Sequence, residues 1–113
     1  MKYYLRLNDE VAEVEGAKFK EDNRLFYVNL IKNNLSVNEA NYLIVDIRTG
    51  LYVFSAKSKK TLFEIYQQQK EKYDNYLSQY EKIVIEYEKE LKELIEKGKL
   101  DKDVNYDIYD IDD

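Results

Sequence analysis

The sequence predicts an α+β domain: an antiparallel sheet of about five strands, then one long C-terminal helix and an acidic tail. Three observations carry that expectation. Short runs of alternating or continuous apolar residues fill the first half of the chain, separated by polar turns at 8–10, 21–23 and 48–50. No glycine or proline interrupts residues 51–97. Within that stretch Tyr66, Tyr73, Tyr80 and Tyr87 stand seven residues apart, and Leu77, Val84 and Leu91 interleave with them at steps of four and three. Such a repeat puts all seven side chains on one stripe of a helix. The stripe names a surface to be buried, not a reaction.

Taken in order, residues 2–7 alternate as a strand, with Tyr3, Leu5 and Leu7 on one face. Residues 11–20 read as a second strand whose phase breaks at Gly16, where a β-bulge is expected. In 24–32, Leu25, Tyr27 and Ile31 oppose Phe26, Val28 and Leu30, and apolar residues on both faces mark a central strand. Residues 33–41 connect, with Ser36 and Glu39 at the capping-box spacing of a single helical turn. Strands at 42–47 and 51–56 follow, joined by the glycine-bearing hairpin Arg48-Thr49-Gly50. Ser58 or Thr61 caps the helix, which runs over 58–97 and stops at Gly98. Residues 1–100 thus form a single domain and 101–113 a tail.

The expected helix is too long for its domain. Some 37 residues at about 1.5 Å each span roughly 55 Å, whereas a domain of this size is only about 30 Å across. The helix must overhang, break or pair with another chain. Leu62, Phe63 and Tyr66 are apolar enough to cover the sheet; residues 67–72 are polar all round, and whether the helix bends there is open.

Composition narrows the chemistry. The chain has no His, Cys or Trp, so the commonest general base, thiolate sites and disulfides are missing. No catalytic, cofactor-binding or metal-ligating set emerges, and the expectation is a protein that is not an enzyme. There is neither a membrane-length apolar run nor a signal-peptide core, so a cytoplasmic location is expected. Many Lys, Asn, Ile and Tyr with only four Ala read as AT-rich coding, as in a low-GC bacterium or its phages. Net charge is −5 and graded: +2 over residues 1–60, −3 over 61–97 and −4 over 98–113. That gradient points to a charged partner.

Three candidate sites follow. The tyrosine register, with Tyr73, Tyr80 and Tyr87 as its partner-facing members, serves either as internal core or as an interface, including a homodimer through the long helix. Tyr76 and Ile83 widen it beyond a two-position seam. The tail sets Asp101, Asp103, Asp107, Asp110 and Asp112 among Tyr106, Ile108, Tyr109 and Ile111. Extended, it spaces carboxylates two residues apart by about 6.6 Å, a rough imitation of a phosphate strand that a basic nucleic-acid groove accepts. Its D-x-D-x-N opening starts a calcium loop but has Tyr106 where the turn glycine belongs. Lys57, Lys59 and Lys60 before the helix offer either a phosphate contact or merely a soluble edge.

In size, AT-rich composition, lack of catalytic residues, tyrosine-rich acidic helix and the 101–113 run, the chain resembles the small acidic proteins that phages encode against host defence nucleases, the anti-CRISPR proteins. No shared motif carries residues over. The resemblance implies an inhibitor acting in the host bacterial cytoplasm on a Cas effector or similar nuclease, through occupation of its guide, PAM or target channel or by locking a conformation. The other readings are an oligomeric interaction module joined by the tyrosine-striped helix, and a nucleic-acid binder using Lys57–Lys60, which the net charge opposes.

Overall fold

The computed structural model describes residues 1–8 and 10–98. Five antiparallel strands are followed by two helices: β1 (Lys2–Leu7), β2 (Glu10–Lys18), β3 (Leu25–Asn29), β4 (Tyr42–Asp46), β5 (Tyr52–Ala56), α1 (Lys59–Gln79) and α2 (Glu81–Gly98). The strands lie in chain order across the sheet. β1 and β2 form a hairpin in which Leu7 faces Glu10, and Asn8 takes the left-handed φ of 57° that such a short turn needs. β2 is shared: residues 10–15 pair with β1 and residues 16–18 with β3.

Gly16 is not the bulge that its phase break predicts, because the pairing runs through it in register (Gly16 opposite Val28). Its role is close approach. A Cβ there would sit 2.9 Å from both Phe26 Cδ2 and the Tyr27 carbonyl, and 3.3 Å from Tyr3 Cδ2. The missing side chain lets Tyr3 and Phe26 stack, centroids 4.3 Å apart, across the strand. The register shift falls instead between β4 and β5, where Ile44 faces Phe54 but Val45 faces Tyr52.

The sheet curls. Its first strand comes round to the β4–β5 turn, and the Arg6 N–H donates to the Gly50 carbonyl at 2.7 Å. Alternation along each strand therefore feeds two cores. Tyr3, Leu5, Val14, Phe26, Val28, Leu43, Val45 and Ile47 fill the inside of the curl. On the outside, Leu25 and Ile44 meet Leu62, Tyr66 and Tyr73 of α1, while Tyr4 and Val11 meet Leu91 and Ile95 of α2. β3 is apolar on both faces, as its sequence requires.

The connection after β3 is not helical. Asn34 and Asn38 have positive φ (55° and 53°), Val37 bridges Ala40, and Val37 and Leu35 turn into the inner core. Burial of those two apolar side chains outweighs the capping-box signal.

The single long helix is the main correction. Ser58 caps α1 by accepting from the Thr61 N–H at 3.1 Å, but the helix ends at Tyr80, whose φ of −115° and ψ of 35° lie outside helical geometry. The polar turn 67–72 stays within α1. No glycine or proline forces the break; the geometry of the molecule does. Its longest extent is 35 Å, close to the ~32 Å of a 21-residue helix at 1.5 Å per residue. A straight continuation would leave Val84, Leu91 and Ile95 in water. The break lets them bury, Leu91 completely, and each such side chain contributes about 1.5–3 kcal/mol.

Candidate partner-binding site

The break at Tyr80 builds the most distinctive surface of the molecule. The tyrosine register is cut, so its members have different fates. Tyr66 and Tyr73 are buried at 5% and 7% exposure, Tyr80 stands 41% exposed at the corner, and Tyr87 is half-buried. Tyr76 and Ile83 flank the corner at 41% and 43% exposure, and the Tyr76 and Tyr80 rings lie 5.1 Å apart. Large apolar side chains left exposed together mark an interaction site more often than ones scattered singly.

Beneath the corner, the two helices and the start of β5 enclose a cleft of about 320 Å³. Tyr52, Phe54, Tyr73, Tyr76 and Tyr87 line it together with the aliphatic Leu51, Val53, Leu77 and Val84, with Lys72 at hand. A second, wider hollow continues past Tyr52 and Tyr87 to Arg6, Leu7 and Val37. Leu51, Tyr52 and Tyr87 are thus common to both.

The floor of the cleft is held by a buried polar network. Asp46 is 4% exposed at the end of β4. One of its oxygens accepts from the backbone N–H of Arg48 at 2.8 Å and of Thr49 at 3.3 Å, which shapes the hairpin turn. The other accepts from the Tyr73 hydroxyl. Burial pushes the Asp46 carboxyl above the ordinary carboxylate range, although Tyr73 and the two N–H donors pull the other way. Beside it, Arg24 donates to Asp22 at 2.8 and 2.6 Å and to Asp74 of α1 at 2.6 Å, with its guanidinium 5.5 Å from the Tyr73 ring centre. The pair of bonds to Asp22 and the further one to Asp74 raise the Arg24 pKa against its burial. Asp22 is pushed up by burial but more strongly down by Arg24, and ends below its ordinary value. This network ties α1 to the sheet. Arg48–Glu88 and Arg6–Glu90, each at 3.0 Å, tie α2 to it.

The sequence-predicted residues separate accordingly. Tyr73 is a strut that anchors α1 through Asp46, Tyr80 is the hinge, and Tyr87 lines the cleft. A continuous stripe on one straight helix is not what forms, because the break turns its second half elsewhere. Asp101, Asp103, Asp107, Asp110, Asp112, Tyr106 and Tyr109 lie outside the described residues. Of the Lys57, Lys59 and Lys60 group, Lys59 donates to the Tyr27 hydroxyl at 3.1 Å and lies 4.7 Å from its ring centre, and Lys57 pairs with Glu39 at 3.7 Å. Tyr52 joins the cleft from β5 with no signal in the local sequence beyond its aromatic type. Tyr76 and Ile83 were visible only as a broadening of the stripe.

Among the described residues no group of acidic, histidine or cysteine side chains is placed to hold a metal ion, and no helix is long and apolar enough to cross a membrane. No family model, curated protein or solved structure matches the chain.

Proposed function

We propose that this protein acts by stoichiometric binding rather than catalysis, as an inhibitor that seats on a basic nucleic-acid-binding protein such as a bacterial defence nuclease. The observation that carries this reading is the exposed corner of Tyr76, Tyr80 and Ile83, of which Tyr76 also lines the neighbouring cleft. Tyrosine offers large contact area with little rotamer entropy to lose, which is why it is frequent among binding hot spots. The charge gradient supports the choice of partner. The aromatic corner leads into the acidic half of the chain, and that half ends in the −4 of residues 98–113. Aromatic contacts supply affinity in this arrangement, while the carboxylates occupy positions that phosphates would take and steer association.

The test is inhibition of a purified RNA-guided nuclease in a DNA-cleavage assay, using the parent, a Tyr76→Ala/Tyr80→Ala variant and an Asp101→Asn/Asp103→Asn/Asp107→Asn/Asp110→Asn variant. The parent is expected to inhibit at one-to-one stoichiometry. The tyrosine variant should lose 10-fold or more in affinity, and the asparagine variant should lose most at low salt, where carboxylate contacts are least screened. Full inhibition by both variants would overturn the reading. The same corner also favours self-association as the second reading, since it presents apolar rings to solvent. Light scattering that gives twice the chain mass for the parent and a single mass for the tyrosine variant would establish that reading instead.

A further inference from the structure

The cleft between the helices and the sheet has the make-up of a small-molecule site. Four tyrosines and a phenylalanine reach it from three elements: Tyr52 and Phe54 from β5, Tyr73 and Tyr76 from α1, and Tyr87 from α2. Tyr73 and Tyr76 share a helix face at a spacing of three, and Tyr52 and Phe54 share a strand face at a spacing of two. The volume of about 320 Å³ falls at the small end of the roughly 300–1,000 Å³ in which ligand pockets lie.

Its charge is as particular as its rings. The charged residues that line it are Asp46 and Lys72. Lys72 is exposed, so water and salt screen it, whereas Asp46 is buried. The arginines near Asp46 are already matched: Arg24 is shared between Asp22 and Asp74, and Arg48 faces Glu88. Burial pushes the Asp46 carboxyl up, and a cation placed nearby would favour its ionised form.

Tyrosine rings attract a cation through their electron-rich faces, most strongly where water is excluded. Tyr73 already does so within the protein, with the Arg24 guanidinium 5.5 Å from its ring centre. A buried carboxylate adds attraction through space in a low-dielectric site. The kind of cation follows from hydrogen bonding. Both oxygens of Asp46 already accept, from the Arg48 and Thr49 N–H groups and from the Tyr73 hydroxyl. The site therefore favours a cation with no N–H donors to satisfy.

We propose that this cleft binds a small quaternary ammonium group, its methyls against Tyr52, Tyr73, Tyr76 and Tyr87 and its charge facing Asp46. The inference goes beyond the inhibitor reading and does not rest on it, and its test involves no nuclease.

Choline and 3,3-dimethylbutan-1-ol match in shape and differ in charge. Titration of the full-length isotope-enriched protein with each, followed by amide NMR, is expected to move the signals of Tyr52, Tyr73, Tyr76 and Tyr87. Choline should bind at least 10-fold more tightly than the neutral alcohol. Asp46→Asn should bring the two ligands within twofold of each other, and Tyr52→Ala, which removes an exposed ring, should weaken choline at least fivefold. N-acetyl-trimethyllysine amide beside choline tells a modified side chain from a free compound; a preference of either over its neutral isostere supports the proposal. Three results would overturn it. The neutral isosteres bind as tightly as the cations, which makes the cleft a plain apolar hollow; the preference for charge survives in Asp46→Asn; or the shifted signals lie outside the cleft. The first and third are read on the parent chain, so a variant that fails to fold leaves the proposal exposed to test.

Discussion

Asp46 shows how one buried carboxyl organises a hairpin and a helix together. It accepts from two backbone N–H groups of its own turn and from Tyr73 of α1, so its removal would leave donors unpaired in both elements. It also carries a cost. With its folded-state pKa above the unfolded value, the ionised form is the one that folding disfavours. That penalty is absent below the unfolded pKa of about 3.9, grows as pH rises through the folded value, and stays constant above it. Asp46→Asn cannot titrate, and keeps an acceptor for the turn and a polar group for Tyr73. Its stability relative to the parent is therefore expected to improve as pH is raised from about 4 to 7, measured by urea unfolding at each pH. Asp22, whose pKa is lowered, has the opposite slope and loses its contribution on acidification. It is common to both proteins and cancels in the difference. A relative stability that falls over this window would contradict the assignment.

At the scale of elements, the decisive event is the end of α1 at Tyr80. Up to that point the helix is explained locally: Ser58 caps it and Leu62, Tyr66 and Tyr73 meet the sheet at helical spacing. Beyond it, α2 docks on the strength of Val84, Leu91 and Ile95, assisted by Glu88 and Glu90 reaching Arg48 and Arg6. The ion pairs are partly exposed and contribute little singly, so the apolar contacts carry the docking. Leu91→Ala removes the fully buried side chain that meets Tyr4. A loss of about 2–5 kcal/mol is expected, with amide exchange accelerating first in 81–98 and least in β3 and β4. Equal acceleration throughout would mean that α2 is not a separately docked element.

For the whole molecule, the curl of the sheet is the feature on which the rest depends. It makes two cores from one sheet, brings Arg6 to Gly50, and sets β5 beside the helix corner. At Gly16 the packing is close, with the Phe26 ring and the Tyr27 carbonyl filling the space of its missing side chain. Gly16→Ala would ordinarily favour a strand by a few tenths of a kcal/mol or more. Here the methyl meets a backbone oxygen that cannot rotate away, and a destabilisation of about 1–3 kcal/mol is expected, read by chemical denaturation. A neutral or stabilising outcome would show that the strand can shift without disturbing the Tyr3–Phe26 stack.

Much of this architecture was legible residue by residue. The polar turns, the two-faced apolar run of β3, the cap at Ser58 and the helical tyrosine register are local signals, governed by backbone preferences and by the two side-chain periods. The sequence therefore determined that the domain is α+β, that its strands precede its helical part, and that Tyr66 and Tyr73 share a helix face. Where the helix ends, which tyrosines become core and which become surface, the position of the bulge and the existence of the cleft were decided by tertiary structure alone. Those features depend on contacts between residues far apart in the chain: Leu91 with Tyr4, Tyr73 with Asp46, Gly16 with Phe26. No local pattern encodes such distances, because the burial that offsets a broken helix exists only once the sheet has curled beneath it.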